Sequence, residues 1–508
     1  MDKLSEWAQK TPNKPAAIIA ETGESISYLQ LHERSARLCG ALVKSGLEVG
    51  DSIAILIGNT LPYFEVCWAA RRAGLYYIAI STHLKASETQ YLLEDSGAKV
   101  LFVDAAHAHL IKEMPRDLVD RLQVVVVDGP TAREVGDGYE WTVAMGEVPP
   151  LPTRPEGLDF PYSSGTTGHP KGIRQPIGGM VAQAGNWVNF FGFSPSMVYL
   201  SPAPLYHAAP LRFCIRTQAA GGTVVVMRKF DAQGALDAIA RYRVTHSQWV
   251  PTMFVRLLNL PVEVRASADV SSMQRALHAA APCPIDVKRR MLDWWGPIIW
   301  EYYSGSERNG ATVISPEEWL QRPGSVGRAA LGDIHIVSDE GIACATGEEG
   351  LVYFANGVRF EYHNDPAKTA AAYDAHGRST IGDIGRVDEE GYLFLTDRRA
   401  NMIISGGVNI YPQEIENLLL THPLVADVAV FGAPHPDFGE EVVGVVELKE
   451  PGRASEVLAQ DLIEFCRASL SHIKCPKRID FSQGLPRSEA GKLLKRVVRD
   501  EYRRKMSA

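Results

Sequence analysis

The sequence lacks the features of membrane-spanning, disulfide-rich and zinc-binding proteins. It has no uninterrupted apolar run of about 18 residues, the length that a transmembrane helix needs, and its first residues lack the apolar core of a signal peptide. Its 7 cysteines are scattered and no two form a C-x-x-C pair, so neither a disulfide framework nor a zinc cluster is predicted. We therefore expect a cytoplasmic protein with reduced thiols.

Blocks of one charge and the short motifs of several enzyme classes are also missing. Lys and Arg total 52 against 60 Asp and Glu, and the net charge of −8 is spread along the chain, which argues against nucleic acid as a partner. The sequence contains no G-x-S-x-G, H-E-x-x-H or G-x-G-x-x-G segment. Hydrolases, zinc proteases and dinucleotide-binding enzymes are therefore disfavoured.

What is present is the composition of a globular protein. The 508 residues are 45% hydrophobic and 22% charged, and this length is typical of about three domain-sized units. In the first half, continuous β-branched runs predict strands that are covered on both faces, as in the parallel sheet of an α/β protein. These runs span residues 52–57, 100–104, 124–127 and 223–227.

The pattern changes toward the C-terminus. Two short strands are predicted on either side of a turn at 389–391, a helix opens at Pro412, and strands follow at 425–431 and 442–448. We predict an α/β protein in which a large multi-sheet N-terminal body over residues 1–398 precedes a small mobile α+β domain over residues 399–508.

Residues 162–172 read YSSGTTGHPKG and carry the sharpest chemical signal. Glycines let backbone N–H groups approach an anion, hydroxyl groups donate further hydrogen bonds, and Lys171 adds a positive charge, so the segment suits a polyphosphate. It is not a Walker loop, because Pro170 stands where that motif needs glycine. A Ser- and Gly-rich surface loop is the competing interpretation.

This segment resembles the phosphate-binding signature of the adenylate-forming enzymes, which include acyl-CoA synthetases, luciferases and peptide-synthetase adenylation domains. Four further segments match that family in order: PLYHAAPL at 204–211, YSGSE at 303–307, GDIGRVDEEGYLFLTDR at 382–398 and PRSEAGKLLK at 486–495. The resemblance covers nearly the whole chain and is closest to bacterial fatty acyl-CoA synthetases. It implies that a carboxylate attacks ATP to give acyl-AMP and pyrophosphate, and that coenzyme A then displaces AMP.

The resemblance also implies an ATP site with Mg²⁺. By similarity, Glu307 would bind Mg²⁺ and act in catalysis, Asp383 and Arg398 would hold the ribose, and Tyr303 would stack on adenine beside Ser306. The turn along the base edge would contribute Ala280, Ala281 and Pro282. The phosphates would contact Ser163, Ser164, Gly165, Thr166, Thr167, Gly168 and Lys171, with Thr167 also catalytic.

Three of these residues have simple structural alternatives. Tyr303 suits a buried core position, Glu307 suits a solvated surface position, and Asp383 beside a glycine suits a turn. Only their places within ordered motifs favour ligand binding.

The remaining assignments concern the acid, coenzyme A and domain motion. By similarity, His207 would gate an acyl pocket and act in catalysis, Lys492 would reach the reacting carboxylate, and Ala400 would be the hinge, where many relatives have Asp or Lys. Bulky aromatics near the pocket are also compatible with ordinary core. The predicted acyl pocket consists of His207, Ala208, Trp249, Ser304 and Gly305. The predicted coenzyme A contacts are Gly406, Gly407, Lys474 and Lys477.

We therefore predict an AMP-forming ligase that joins a medium- or long-chain fatty acid, or another bulky hydrophobic acid, to coenzyme A, with ATP and Mg²⁺ as cofactors. An aryl-acid ligase and an enzyme that loads a carrier protein remain alternatives, as does a luciferase-like oxygenase. A non-catalytic nucleotide-binding scaffold is disfavoured because Lys171, Glu307, Asp383 and Lys492 are all retained. A homodimer is compatible with the sequence.

Overall fold

The β-branched runs of the first half form strands of two large sheets in the computed structural model. The structure describes residues 2–128, 146–163, 170–178, 190–405, 408–436, 438–487 and 493–506, without the side chains of Ala400, Asn409 and Met506. Within these ranges no helix is both long enough and apolar enough to cross a membrane.

The α-helices in these parts of the chain are numbered in order. They are α1 (Lys3–Lys10), α2 (Tyr28–Lys44), α3 (Leu61–Ala73), α4 (Ala86–Ser96), α5 (Arg116–Val119), α6 (Ala208–Ala219), α7 (Ala232–Tyr242), α8 (Pro251–Leu258), α9 (Val262–Ser267), α10 (Ile285–Trp295), α11 (Pro316–Gln321), α12 (Pro366–Ala371), α13 (Pro412–Leu419), α14 (Glu456–Arg467) and α15 (Lys495–Met506).

The strands are numbered in the same way. Up to residue 398 they are β1 (Pro15–Ile19), β2 (Ser25–Ser27), β3 (Ser52–Leu56), β4 (Tyr76–Ala79), β5 (Ala98–Val103), β6 (Gln123–Val126), β7 (Leu158–Asp159), β8 (Tyr162–Ser163), β9 (Lys171–Arg174), β10 (Val198–Ser201), β11 (Thr223–Val226), β12 (His246–Trp249), β13 (Arg275–His278), β14 (Ile299–Ser304), β15 (Ala311–Ile314), β16 (Arg328–Leu331), β17 (Asp333–Val337), β18 (Gly350–Ala355), β19 (Glu361–Tyr362), β20 (Ser379–Val387) and β21 (Leu393–Arg398). Beyond it they are β22 (Ile403–Ser405), β23 (Val408–Ile410), β24 (Val425–His435), β25 (Gly439–Leu448) and β26 (Arg478–Ser482).

The two large sheets confirm the predicted parallel architecture. One has the order β6-β5-β3-β4-β7 and its pairs are all parallel. The other has the order β16-β15-β14-β13-β12-β10-β11-β1-β2, with parallel pairs from β14 through β1 and antiparallel pairs at both edges. Both central strand groups are buried, because helices cover the two faces of a parallel sheet.

Two smaller sheets carry segments of the predicted ATP site. The order β19-β9-β8 brings Tyr362 alongside the strand that begins at Lys171. The order β17-β18-β20-β21 contains the predicted strand pair around residues 389–391, with Asp383 directly opposite Arg398.

The C-terminal segment forms its own sheet with the order β23-β22-β25-β24, and β26 pairs in parallel with β25. Helix α13 opens at Pro412 as predicted, and Ile415 and Leu419 are fully buried against the long strands. The predicted boundary between residues 398 and 399 falls between the last residue of β21 and a 3₁₀ turn at Arg399–Asn401. The boundary itself stays a prediction.

Candidate active site

Two short antiparallel strands close the stem of the predicted phosphate loop. Ser163 in β8 lies opposite Lys171 in β9. The Ser163 hydroxyl is buried and has no hydrogen-bond partner among the described residues, which suits it to a ligand oxygen. Five predicted phosphate contacts lie outside the described residues and stay predictions: Ser164, Gly165, Thr166, Thr167 and Gly168.

Lys171 and Glu307 meet in the site together with Tyr362. The Lys171 Nζ atom lies 3.4 Å from Glu307 Oε1 and donates to the Tyr362 hydroxyl at 2.9 Å. That hydroxyl in turn donates to Glu307 Oε1 at 3.0 Å. Burial lowers the pKa of Lys171, and the Glu307 carboxylate opposes this effect. Tyr362 lies outside all five motifs, so the motif comparison did not predict it.

Tyr303, Asp383 and Arg398 form a second cluster. The Tyr303 hydroxyl donates to Asp383 Oδ2 at 2.6 Å, and Arg398 Nε donates to Oδ1 at 3.0 Å. Burial and then Asp383 raise the pKa of Tyr303, while Asp383 above all raises the pKa of Arg398. Glu307 also contributes to both pKa shifts. A Cβ atom at Gly305 would lie 2.8 Å from both the Glu307 carboxylate and the side chain of Ile381 in β20, the strand that carries Asp383. The two clusters therefore adjoin and form one site.

The predicted adenine turn follows the buried end of β13. Ala280 adopts a φ of +74°, a conformation that non-glycine residues rarely adopt. Its side chain and that of Pro282 are exposed, and Ala281 is half-buried. The turn thus presents small groups toward solvent at the edge of the sheet where Tyr303 lies next to the end of β14. The local strain is typical of a functional loop.

His207 stands at the start of α6, in the predicted acyl region. Its Nε2 atom is buried without a hydrogen-bond partner in the described parts of the chain, and burial lowers its pKa to about 4. The imidazole is therefore neutral at pH 7. Ala208 is the first residue of α6 and is half-buried, as is Ser304, whose hydroxyl donates to the Gly310 carbonyl at 2.8 Å.

Trp249 has a core environment rather than an open pocket wall. It is 1% exposed, and its ring packs against Phe254 and Trp295 with ring centroids 6.1 and 5.5 Å away. Burial on this scale supports the core interpretation that the sequence left open.

Gly305 does not fit its predicted role as a wall of the acyl pocket. A Cβ atom there would lie 2.8 Å from Glu307 Oε2 and 2.8 Å from Ile381 Cδ1. A side chain at position 305 would therefore point toward the Glu307 carboxylate.

We expect Gly305→Ala to slow pyrophosphate release by a similar factor for short and long acids, on the order of tenfold to a hundredfold, because the added methyl displaces the Glu307 carboxylate. Steady-state assays with hexanoate and dodecanoate measure this. Gly452→Ala is the control, since a Cβ there meets nothing within 4 Å. Selective loss of the long acid would instead assign Gly305 to the acyl pocket.

The coenzyme A and catalytic-lysine predictions are only partly covered by the structure. Lys492, Gly406 and Gly407 lie outside the described residues. Two pairs link the chain on either side of Lys492: Arg487 forms a β-bridge with Leu493, and the Leu494 N–H donates to the Pro486 carbonyl at 2.9 Å.

The two predicted coenzyme A lysines differ in their surroundings. Lys474 Nζ lies 2.7 Å from Glu414 Oε2, so its charge is partly neutralised within the domain. Lys477 is exposed and donates to the His472 carbonyl at 3.3 Å. Their roles stay predictions.

Comparison with known proteins accounts for nearly the whole chain. Residues 4–358 match the AMP-binding enzyme family, and residues 414–492 match the AMP-binding enzyme C-terminal domain. The chain is 29% identical to the long-chain-fatty-acid–CoA ligase FadD13 of Mycobacterium tuberculosis strain H37Rv, over 98% of this chain and 97% of that protein. It is 32% identical to the feruloyl-CoA synthase of an Amycolatopsis species, over 98% and 99%.

The fold also matches that of a solved structure over nearly the whole chain. The crystal structure of ATP-bound MatB from Rhodopseudomonas palustris matches with a TM-score of 0.85 at 27% identity, over 99% of both chains. The fold class and the resemblance predicted from the five motifs are thereby confirmed. The chain belongs to the AMP-binding enzyme family, within the adenylate-forming superfamily, and is an AMP-forming acid–thiol ligase.

Proposed function

We propose that this ligase joins a hydrophobic carboxylic acid, a medium- or long-chain fatty acid in the first instance, to coenzyme A in two steps. The observation that carries the proposal is the shared site of Lys171, Glu307, Tyr303, Asp383 and Arg398. One end of this site offers a half-buried ammonium group and a buried carboxylate, and the other offers a carboxylate with an aromatic ring. These groups match the phosphates and the nucleoside of ATP.

In the first step, a carboxylate oxygen of the acid attacks the α-phosphorus of ATP, and the bond to pyrophosphate breaks. Charge accumulates on phosphate oxygens, so the site must supply positive charge and alignment rather than a nucleophile. Lys171 supplies charge beside the phosphate loop. Asp383 can accept hydrogen bonds from the ribose hydroxyls once Tyr303 or Arg398 gives up its hydrogen bond to one of the Asp383 carboxylate oxygens.

In the second step, the thiol sulfur of coenzyme A attacks the acyl carbon, AMP leaves, and the thiol proton is released. His207 is neutral at pH 7 and has a buried ring nitrogen that is free of partners among the described residues. It is therefore suited to accept or donate one hydrogen bond at the acyl group.

The chemistry of the site fits Mg²⁺. In the described ranges no three His, Cys, Asp or Glu side chains gather around a point, and Mg²⁺ commonly uses only one or two carboxylates together with substrate phosphates. Glu307 provides one hard carboxylate whose side chain is 6% exposed. When bound, Mg²⁺ neutralises charge on the phosphate oxygens.

The acid is the least constrained part of the proposal. The name of FadD13 indicates a long-chain fatty acid for that protein, and the name of feruloyl-CoA synthase indicates an aromatic acid for that one. An aryl acid is therefore the second candidate, and a carrier protein is the alternative acceptor. Cytoplasmic location and a homodimer stay predictions.

A substrate panel tests the proposal. AMP release is measured with fatty, aryl and sterol-side-chain acids, each with and without coenzyme A. We expect the highest kcat/KM for a fatty acid of medium or long chain, with AMP release dependent on coenzyme A. The Lys171→Met variant serves as the control for contaminating ligases. Preference for an aryl acid, or turnover only with a carrier protein, would replace the proposed substrate or acceptor.

The two steps should be separable by mutation of the small domain. Lys492→Ala removes the cation that is predicted to act on the α-phosphate, so acyl-AMP formation should fall by at least a hundredfold, whereas pre-made acyl-AMP and coenzyme A should still give thioester. Ala400→Pro fixes φ near −65° at the predicted hinge and should give the reverse pattern if the adenylating state is the one retained.

Both half-reactions are measured on both variants after circular dichroism confirms folding. Lys505→Ala, an exposed lysine on α15, is the matched control. Equal loss of both steps in each variant would mean that one fixed arrangement serves the whole reaction.

A further inference from the structure

Four polar side chains meet behind the turn that carries Glu307. Asp159 ends β7, Gln175 follows β9, Arg212 lies on α6, and Arg308 directly follows Glu307. All four are mostly buried, and none of them belongs to the predicted site.

The turn itself has an unusual backbone. The Arg308 N–H donates to the Gly305 carbonyl at 3.2 Å, and Arg308 adopts a φ of +57°, in the left-handed region that favours glycine. An arginine held there costs conformational energy. The surrounding contacts must therefore fix the turn.

The next two carbonyl groups of the turn also accept hydrogen bonds from side chains. An Arg212 guanidinium N–H donates to the Ser306 carbonyl at 3.1 Å. The Gln175 side-chain amide donates to the Glu307 carbonyl at 2.8 Å. Because the backbone is held on both sides of Glu307, its carboxylate can move only through its own side-chain torsions.

Asp159 joins these donors into one network. Its Oδ2 atom lies 2.7 Å from Arg212 Nε, and its Oδ1 atom lies 3.3 Å from an Arg308 terminal nitrogen. Arg308 also donates to Gln175 Oε1 at 3.2 Å. Although burial raises the pKa of Asp159, the two arginines lower it to about 2. The carboxylate is therefore ionised at neutral pH and binds both guanidinium groups.

We propose that Asp159, Gln175, Arg212 and Arg308 are positioning residues that hold the Glu307 carboxylate in place for the divalent cation that accompanies ATP. The inference rests on the proposed function. The network also links α6 to the phosphate site, because Arg212 lies one turn beyond the start of the helix.

The test uses Gln175→Met and Arg308→Gly. Gln175→Met removes the donor to the Glu307 carbonyl without leaving a buried charge. Arg308→Gly removes two side-chain bonds and suits the φ of +57°, so it separates loss of the side chain from backbone strain. Asp159→Asn is avoided at first, because it would leave two mostly buried arginines without their carboxylate.

Two quantities are measured for each variant. One is the Mg²⁺ concentration that gives half-maximal pyrophosphate release, and the other is Mn²⁺ binding in the presence of a non-hydrolysable ATP analogue, followed by electron paramagnetic resonance. We expect both half-saturating concentrations to rise about 10- to 100-fold, the range found for residues that orient metal ligands. The kcat at saturating Mg²⁺ should change much less.

Gln218→Met is the matched control, because Gln218 is a fully buried glutamine at the other end of α6. If Gln175→Met and Arg308→Gly bind Mn²⁺ as tightly as this control, the positioning role is overturned while the proposed function stands. If the wild-type enzyme neither binds Mn²⁺ with the analogue nor needs Mg²⁺, the proposed Mg²⁺ requirement is wrong. The positioning role proposed for the four residues is then wrong as well.

Discussion

Replacing Glu307 with alanine is expected to lower pyrophosphate release roughly a hundredfold, which corresponds to about 3 kcal/mol of transition-state stabilisation. Within the described part of the chain, Glu307 is the carboxylate that pairs with Lys171, and both the motif and the geometry support it as a metal ligand. Its removal also takes away a negative charge that would repel metal-free ATP. We therefore expect ATP without Mg²⁺ to bind the variant at least as tightly as it binds the wild type.

The opposite signs of these two effects separate a metal-binding role from simple loss of folding. Pyrophosphate release and equilibrium binding of metal-free ATP are measured on the same preparations, with Glu263→Ala as an exposed control. If the folded variant released pyrophosphate at the wild-type rate, the assignment of Glu307 as the metal ligand would be wrong.

Glu301→Gln is expected to lower the free energy of unfolding by about 3–5 kcal/mol, the usual cost of removing one partner of a buried ion pair. Glu301 Oε2 lies 2.6 Å from Lys288 Nζ, and both side chains are at most 8% exposed. His278, opposite Glu301 on β13, lies 3.3 Å away. The loss would be a large part of the roughly 5–15 kcal/mol that stabilises a typical protein.

The pH dependence of this contribution has a definite sign. Burial raises the pKa of Glu301, but His278 and Lys288 more than offset this and lower it to about 2, below the ordinary 4.5. The contribution is therefore complete above pH 4.5 and is lost as the pH falls toward 2.

Urea denaturation at pH 7 and pH 4 measures the effect. Glu24→Gln is the control, because its partner Arg228 lies 3.9 Å away and both side chains are more than half exposed, so its change should stay within about 1 kcal/mol. The double variant Lys288→Met with Glu301→Leu should recover most of the lost stability, since apolar residues replace buried ion pairs well. A single Glu301→Gln variant as stable as the control would contradict the prediction.

The sequence alone predicted the features that depend on residues close together along the chain. Continuous apolar runs marked β3, β5, β6 and β11 to within a few residues, because burial on both faces leaves a local pattern. The five motifs identified the family, since the ATP-binding groups lie within short segments whose order is retained. Lys171 and Glu307 were assigned to the same ATP site on this basis, and the structure places them 3.4 Å apart.

The three-dimensional structure was needed to show which side chains meet across long sequence distances. Tyr362 reaches Lys171 because β19 pairs with β9, and Asp159 reaches Arg308 across a gap of 149 positions. The direction in which a side chain at position 305 would point and the burial of Trp249 both depend on the packing of whole sheets. Strand and helix patterns report which residues are buried, but they do not report which partner buries them, because that choice is made by the relative placement of elements far apart in the chain.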